Sequence, residues 1–407
     1  MCGIVGAVSA TKPVSVDAVE RAATLLAKRG PDDAGFWAEG PATLGHRRLA
    51  ILDLSQAGHQ PMVSADGRYV IVLNGEIYNF LTLREQLDPD ENAWRSRSDT
   101  EVVLAAYMRW GPECVTRFHG MFAFAIWDRV EKRLFAARDP MGVKPFYYHS
   151  GPAGFLFASR PRALFAMDSS LSRELDEQAL RYFLEIGYIP APWSIHGSVK
   201  KLPPAHYLTV DASGLKIQRY WDFRHIEPEQ SWNKRHEEDL LDELDEIVSR
   251  SVRLRMVADV PLGAFLSGGI DSSLVVAAMG RYSSQPIRSF TVGFKESEYD
   301  ESVHAGRVAK ALGTKHEVEY LHVDDLLELL PTFRAEYDEP FFDSSAFPTL
   351  AVSRMARRSV TVSLSGDGAD ELFGGYHYYQ IMQGLDPAFR APAALRRAVA
   401  AGIGLLP

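Results

Sequence analysis

Apolar residues follow two different rhythms along this chain. Up to about residue 165 they come in short runs, Gly3–Val8, Gly45–Leu52, Tyr69–Leu73, Met121–Asp128 and Arg133–Ala137, separated by turn residues. Runs of this kind predict strands. Between them, Val16–Lys28, Leu81–Leu87 and Thr100–Trp110 carry apolar residues at helical spacing. Ser98-Asp99-Thr100-Glu101 offers capping residues ahead of the last of these helices. The pattern predicts an α+β domain over 1–165 whose strands are mostly antiparallel.

From about residue 236 the rhythm changes. Helical patterns at Glu237–Met256, Ser272–Tyr282 and Ser302–Leu312 alternate with strand-like runs at Val260–Leu266, Ile287–Phe294, His316–Tyr320 and Val360–Ser365. That alternation predicts a parallel, doubly wound α/β domain over 236–407. An amphipathic, basic helix is expected over Ala391–Leu406. Residues 166–235 read as a connecting region, marked by Pro190-Ala191-Pro192, Leu202-Pro203-Pro204 and the polar run Glu227–Asp239.

Composition narrows the class. Of 407 residues, 46% are hydrophobic and 24% charged, as in an ordinary globular protein with ample material for a core. The net charge is −9 and no basic block occurs, which argues against a nucleic-acid partner. No stretch approaches the length of a membrane span and no signal peptide precedes Cys2, so no membrane partner and a cytoplasmic setting are expected. Two cysteines, Cys2 and Cys114, exclude a disulfide framework and a Cys-rich metal site. Cys114 reads as a buried apolar residue.

Cys2 is the first candidate for chemistry. Removal of Met1 would place a thiol and a free α-amine on one Cα. An α-amine titrates near pH 8 and so can serve as the thiol's own base. In the second domain, Phe265-Leu266-Ser267-Gly268-Gly269-Ile270-Asp271-Ser272-Ser273 runs from a predicted strand into a predicted helix. Glycines, hydroxyls and a helix N-terminus form an anion site there. It is not the Walker-type loop, which needs Gly-Lys-Ser/Thr. Asp271 suits a Mg²⁺ ligand, since Mg²⁺ bridges carboxylate and phosphate oxygens. A second acidic, glycine-rich stretch, Ser365-Gly366-Asp367-Gly368-Ala369-Asp370-Glu371, follows another predicted strand. Both loops fall at strand carboxyl ends, where ligands bind in doubly wound sheets.

Together these motifs resemble the glutamine-hydrolysing asparagine synthetase family of the B type, from Cys2 to about Tyr379. The N-terminal part is similar to a class II, N-terminal-nucleophile glutaminase. Ser267–Ser273 is similar to the pyrophosphate loop of ATP-pyrophosphatase-type synthetases. The resemblance implies that Cys2 attacks the glutamine side-chain amide. It gives Arg48, Leu49, Ala50, Ile51 and Leu52 to glutamine binding, with Arg48 on the α-carboxylate. It makes Asn74 and Gly75 the oxyanion donors, and sets Glu76 and Asp99 on the α-ammonium. It gives Ser267, Gly268, Gly269, Asp271, Ser272 and Ser273 to pyrophosphate, and Phe265, Val292, Ser365 and Gly366 to the rest of ATP. Asp271 and Asp370 are the implied Mg²⁺ ligands. The implied reaction adenylates a carboxylate, aspartate by default, and releases an amide, AMP, pyrophosphate and glutamate. The resemblance admits a homodimer.

Several positions depart from the family. Asp367 stands where well-known members have Glu, a residue thought to act as a base on ammonia. Lys28 replaces a frequent His before Arg29-Gly30-Pro31-Asp32. Arg160 follows Ser159 where Glu is usual. The family's C-terminal lysine and Arg-x-Pro-Phe-Leu-Asp-like motif are not in the chain, so weak amide synthesis is expected. Alternatives left open are another acceptor carboxylate, in polysaccharide or peptide tailoring, and a non-catalytic relative. A ring-closing synthetase is disfavoured by Cys2.

Overall fold

The computed structural model describes residues 1–9, 13–88, 93–227, 231–294 and 300–403. Two compact units are present, Met1–Leu262 with Leu321–Val362, and Gly263–Tyr320 with Ser363–Pro407. The described part of the first contains strands β1 (Gly3–Val8), β2 (Asp33–Glu39), β3 (Ala42–Arg48), β4 (Met62–Val63), β5 (Tyr69–Ile77), β6 (Gly120–Asp128), β7 (Arg133–Arg138), β8 (Tyr147–Gly151), β9 (Gly154–Ala158), β10 (Lys200–Lys201), β11 (His206–Asp211) and β12 (Gly214–Arg219). They make two antiparallel six-stranded sheets, of order β10-β8-β9-β1-β3-β2 and β12-β11-β7-β6-β5-β4.

Strand alternation decides how these sheets stack. On β5, Val70 and Val72 face Ala123, Ala125 and Trp127 of β6 and meet Ile4 and Leu44 of the other sheet. Ile71 and Leu73 point the opposite way. They pack with Phe122, Phe124 and Ile126 against Phe80 and Leu83 of α2 (Phe80–Leu87) and Val102, Val103 and Ala106 of α3 (Asp99–Trp110). In the other sheet, Val5 and Ala7 of β1 pack on Val19, Ala22 and Ala23 of α1 (Val16–Thr24) and Ala163 and Leu164 of α4 (Pro161–Met167). The result is four layers: helices, sheet, sheet, helices. Trp127, Phe122, Phe124 and Phe135 are fully buried, and each such side chain contributes roughly 1.5–3 kcal/mol.

Three local expectations change. The run Gly45–Leu52 leaves the sheet after Arg48, because the Arg48 guanidinium draws in the carbonyls of Leu52, Asp53 and Ser55 and turns the chain. Helix α1 stops at Thr24, not Lys28. Shorter-range bonds from Leu25, Leu26, Ala27 and Arg29 tighten its end, and carry the chain to Gly30, where a Cβ would sit 2.2 Å from the Arg47 carbonyl oxygen. Ser98 does not cap α3 with its side chain. Instead Glu101 reaches back to the N–H groups of Arg95 and Ser96, at 3.1 and 2.7 Å. Residues 166–235 are also more than a connection. They hold α5 (Glu177–Ile186) and β10–β12, and β11 pairs with β7 to extend the second sheet.

After α6 (Glu237–Arg255), the second unit contains most of a four-stranded sheet made of β13 (Leu262–Phe265), β14 (Arg288–Phe294), β15 (Lys315–Leu321) and β16 (Val362–Leu364). Its order is β15-β14-β13-β16, and β13 runs parallel to β14 with Phe265 opposite Phe290. Helices α7 (Ile270–Tyr282) and α8 (Ser302–Leu312) follow β13 and β14. Strand order reverses between β13 and β16, the switch point where α/β sheets take ligands. The helix Ala393–Ile403 lies within the expected terminal helix; 404–406 are outside the described residues. No described helix is long and apolar enough to cross a membrane.

Arg160 finds its explanation within the first unit. Its guanidinium donates to Asp338 Oδ1 at 2.6 Å, to the Ala335 carbonyl at 2.8 Å and to Glu336 at 3.3 Å. Arg162 joins Asp338 at 2.6 Å and Lys28 joins Glu336 at 3.1 Å. A cation belongs at residue 160 because the segment packed on it is acidic.

Candidate functional site

Cys2 sits at the start of β1, partly buried. Its Sγ lies 3.7 Å from the Leu49 carbonyl oxygen, and its own carbonyl accepts from Arg29 Nε at 3.0 Å. The Cys2 backbone is thereby held on one side by Arg29 and its thiol faces the loop that follows β3. Burial pushes the thiol's pKa up. Burial also pulls the Met1 amine down to about 5, with Lys144 and Arg29 adding to the effect. The Met1 amine is therefore neutral at physiological pH.

Strand β5 presents the next three residues. Asn74 is opposite Ala123 and Gly75 opposite Phe122 on β6. A Cβ on Gly75 would lie 2.4 Å from the Met121 carbonyl oxygen, so the close approach of β6 requires glycine. The Asn74 side chain has no exposed surface, and neither its oxygen nor its nitrogen has a protein partner. A buried amide without partners costs roughly 1–3 kcal/mol. Such a group is free to bond a ligand brought to it.

Glu76 follows on β5, and Asp99 opens α3. The Asp99 carboxylate accepts from Ile77 N–H at 2.9 Å. Burial raises the pKa of both acids, and for Glu76 the neighbouring Asp99 charge adds to it. Both lie within electrostatic reach of the Cys2 thiol. Two buried carboxyls with raised pKa values favour an incoming cation. Leu49, Ala50, Ile51 and Leu52 line the turn after β3, where Ala50 N–H donates to Asp32 at 2.9 Å and the Ile51 carbonyl accepts from Asp259 N–H at 2.9 Å. The Arg48 Nη atoms are committed to that turn, at 3.1 Å from the Ser55 and Leu52 carbonyls and 2.5 Å from that of Asp53.

The second unit brings its two predicted loops together. Gly366 is so close to the start of α7 that a Cβ would lie 2.8 Å from Ser272 N and 3.0 Å from Asp271 Cβ. Gly268 has φ +85°, and a Cβ there would meet Ala305 N at 2.5 Å. The hydroxyls satisfy one another: Ser267 Oγ and Ser272 Oγ are 2.9 Å apart, and Ser273 Oγ donates to the Gly269 carbonyl at 2.6 Å. Gly269 N–H donates to Ser267 Oγ at 3.2 Å. Phe265 ends β13, and Val292 lies two residues beyond its partner Phe290 on β14. The exposed Asp367 accepts from Ser365 Oγ at 2.8 Å. Asp370 packs against Gly375, whose hydrogen a Cβ could not replace. Among the described residues no group of three or more His, Cys, Asp or Glu forms a metal cluster.

Two residues near Cys2 carried no site signal in the sequence. Arg29 lies in a Gly-Pro turn, and Lys144 in Gly142-Val143-Lys144-Pro145 looks like a surface lysine. Nothing in composition or spacing announces that they are folded inward.

Two stacked antiparallel sheets with Cys2 ahead of β1 fit a glutamine amidotransferase of the N-terminal-nucleophile class, followed by an α/β domain with glycine-rich strand-end loops. The glutamine amidotransferase domain family matches residues 1–221 and the asparagine synthase family matches residues 243–403. The chain belongs to the glutamine-hydrolysing asparagine synthetase family. It is 38% identical to the putative asparagine synthetase 2 of Methanocaldococcus jannaschii, over 92% of this chain and 76% of that one. It is 34% identical to asparagine synthetase 1 of Bacillus subtilis, over 98% of this chain and 62% of that one. It is 37% identical to the putative asparagine synthetase of Mycobacterium bovis, over 98% of this chain and 64% of that one. The chain thus spans less than two thirds of the last two relatives.

Proposed function

We infer that this chain hydrolyses glutamine at Cys2 and supplies the ammonia to a carboxylate activated by ATP, with aspartate as the default acceptor, in the cytoplasm. The observation that carries this reading is the buried, unpartnered Asn74 amide beside Gly75 on β5. With Met1 removed, the Cys2 amine takes the thiol proton as Sγ attacks the glutamine Cδ. The tetrahedral oxyanion accepts hydrogen bonds from Asn74 Nδ2 and the Gly75 N–H, and each such donor is worth about 3 kcal/mol. Collapse expels ammonia, which takes the proton from the amine. Water then cleaves the thioester and releases glutamate. Glu76 and Asp99 would receive the α-ammonium, and Arg48 would receive the α-carboxylate by releasing carbonyls of the turn after β3.

In the second unit, Ser267, Ser272 and Ser273 and the first N–H groups of α7 would bind pyrophosphate. Phe265, Val292, Ser365 and Gly366 would frame the rest of ATP. Asp271, Asp370 and the hydroxyls offer only oxygen donors, the type that suits Mg²⁺. When bound, Mg²⁺ would offset the phosphate charge beside these carboxylates. The acceptor carboxylate displaces pyrophosphate from the α-phosphorus, and ammonia displaces AMP from the acyl carbon. Asp367 would take the proton that the attacking ammonia loses.

Glutamate release and amide formation, followed by mass spectrometry with a panel of acceptor acids, test the reading. Cys2→Ala should abolish glutamate release and leave any ammonia-dependent synthesis intact. Glutamate release at the wild-type rate from Cys2→Ala would remove Cys2 from the chemistry. Amide formation on an acid other than aspartate would reassign the acceptor.

A further inference from the structure

Lys144 has no role in the steps above, yet only 3% of it is exposed. Burying an ammonium costs several kcal/mol unless it is paired. Its backbone is pinned: its N–H donates to Asp139 Oδ2 at 2.9 Å, and its carbonyl accepts from Arg138 Nε at 2.8 Å. Asp139 also accepts from the Met141 and Val143 N–H groups, at 3.1 and 2.9 Å, so that carboxylate is occupied with the turn. The Lys144 ammonium forms no ion pair among the described residues. The charged and titratable groups that face it are Arg29 after α1, Glu76 on β5, Cys2, Asp139 in its own turn, and the chain's terminal amine. The turn is tied to the same strands: Asp139 Oδ2, which accepts from Lys144 N–H, also accepts from Phe122 N–H at 3.2 Å, and Phe122 is opposite Gly75 on β5.

We propose that Lys144 is a positioning residue of the Cys2 site: its buried ammonium is the fixed charge against which the Cys2 thiolate forms, the terminal amine stays neutral and the Glu76 carboxylate ionises. The proposal rests on the reading of Cys2 as nucleophile. One positive charge in a dry site acts on all three groups in the productive direction, because it lowers the pKa of a thiol, an amine and a carboxyl alike. Burial brings Lys144 itself down to about 8, with Arg29 adding to the effect. The charge is therefore largely present at neutral pH and fades as the pH rises above 8. Arg29 adds a second positive charge, held beside the Cys2 backbone by its Nε.

The test reads the thiol directly. Alkylation of Cys2 by iodoacetamide is followed across pH by mass spectrometry of the N-terminal peptide, which requires no turnover. Lys144→Met keeps the aliphatic stem and removes the charge. Its alkylation midpoint should move up by about one pH unit, and Lys144→Arg should track the parent. In the kinetic arm, Lys144→Met should raise the glutamine KM more than it lowers kcat, and should shift the acid limb of kcat/KM upward. An unshifted midpoint in folded Lys144→Met overturns the proposal. Failure of both Lys144→Met and Lys144→Gln to fold, with Lys144→Arg folded, also overturns it, since Lys144 would then be structural. A shifted midpoint in a chain that never hydrolyses glutamine upholds the charge assignment and sinks the glutaminase reading instead.

Discussion

The two candidate sites are made of opposite materials. In the first unit the polar groups are buried in strands and short of partners: Asn74 has none, and Glu76 and Asp99 face each other with pKa values raised by burial. In the second unit the hydroxyls of Ser267, Ser272 and Ser273 and the carbonyl of Gly269 satisfy one another at the start of α7. The first site holds unmet demand, which lowers stability and prepares chemistry. The second is at rest until a ligand arrives. The difference suits the ligands proposed for each. A transient oxyanion needs donors already in place, since any reorganisation would come at the moment of reaction. A polyphosphate brings enough charge to reorder a loop at a helix end.

The sharpest way to break this contrast is Asn74→Leu. Losing one oxyanion donor should lower the glutaminase kcat about 100- to 1000-fold. Replacing an unpartnered buried amide by an apolar group of similar shape should leave the melting temperature unchanged or raise it. Steady-state kinetics and a thermal melt on the same preparation check both halves. A large fall in melting temperature would mean that Asn74 is structurally satisfied, and the contrast fails.

Arg160→Glu attacks the frame of the first site. It replaces a buried guanidinium that serves Asp338, Glu336 and the Ala335 carbonyl by a third acid. Breaking a buried pair in this way costs about 3–5 kcal/mol. Urea denaturation should show a loss of that order, partly recovered by Arg160→Glu with Asp338→Arg. Equal stability of Arg160→Glu and the parent would leave the charge at this position without a structural reason.

Legibility in the sequence followed the same divide. Strands with an apolar side on both faces, such as Tyr69–Leu73 and Met121–Asp128, were readable, since both of their surfaces are buried between layers. Strand β12 was not, because most of Gly214–Arg219 is exposed and its polar residues look like loop. Helix Val323–Glu336 was hidden by Pro331 in its interior. Ser267–Ser273 was visible as a glycine- and serine-rich loop between a strand and a helix, whereas Asn74-Gly75-Glu76 was reached only through the family resemblance. Lys144 and the partners of Arg160 were invisible, since inward burial and acids some 175 positions away are properties of the fold.

The paired acids sharpen the comparison through pH. Raised pKa values mean that the folded chain binds more protons than the unfolded chain above the ordinary carboxyl pKa of about 4. The stability this contributes is complete below that pH and declines as the pH rises through the folded values. Glu76→Gln should flatten the decline. Glutamine, which brings an ammonium, should restore stability more at pH 8 than at pH 6. Melting curves in a Cys2→Ala background, where glutamine is not consumed, measure this. A decline of the same slope in Glu76→Gln would place its origin elsewhere.

The smallest effects belong to the resting loop. Ser273 donates one partly exposed bond, to the Gly269 carbonyl, so Ser273→Ala should cost about 0.5–1 kcal/mol of stability. Ser272 is 8% exposed and accepts from Ser267 N–H at 3.2 Å while pairing with Ser267 Oγ. Its removal strands that N–H, and Ser272→Ala should therefore cost more, about 1–2 kcal/mol. Nucleotide binding should reorder the ranking. A hydroxyl that turns from Gly269 to a phosphate is exchanged between partners, so both variants should weaken ATP binding by about tenfold or less, far below the effect of Asn74→Leu on glutamine turnover. Calorimetric titration with ATP and Mg²⁺ gives the number. A loss of a hundredfold or more from Ser273→Ala would show that this loop is preorganised after all, and that the two sites differ in ligand but not in design.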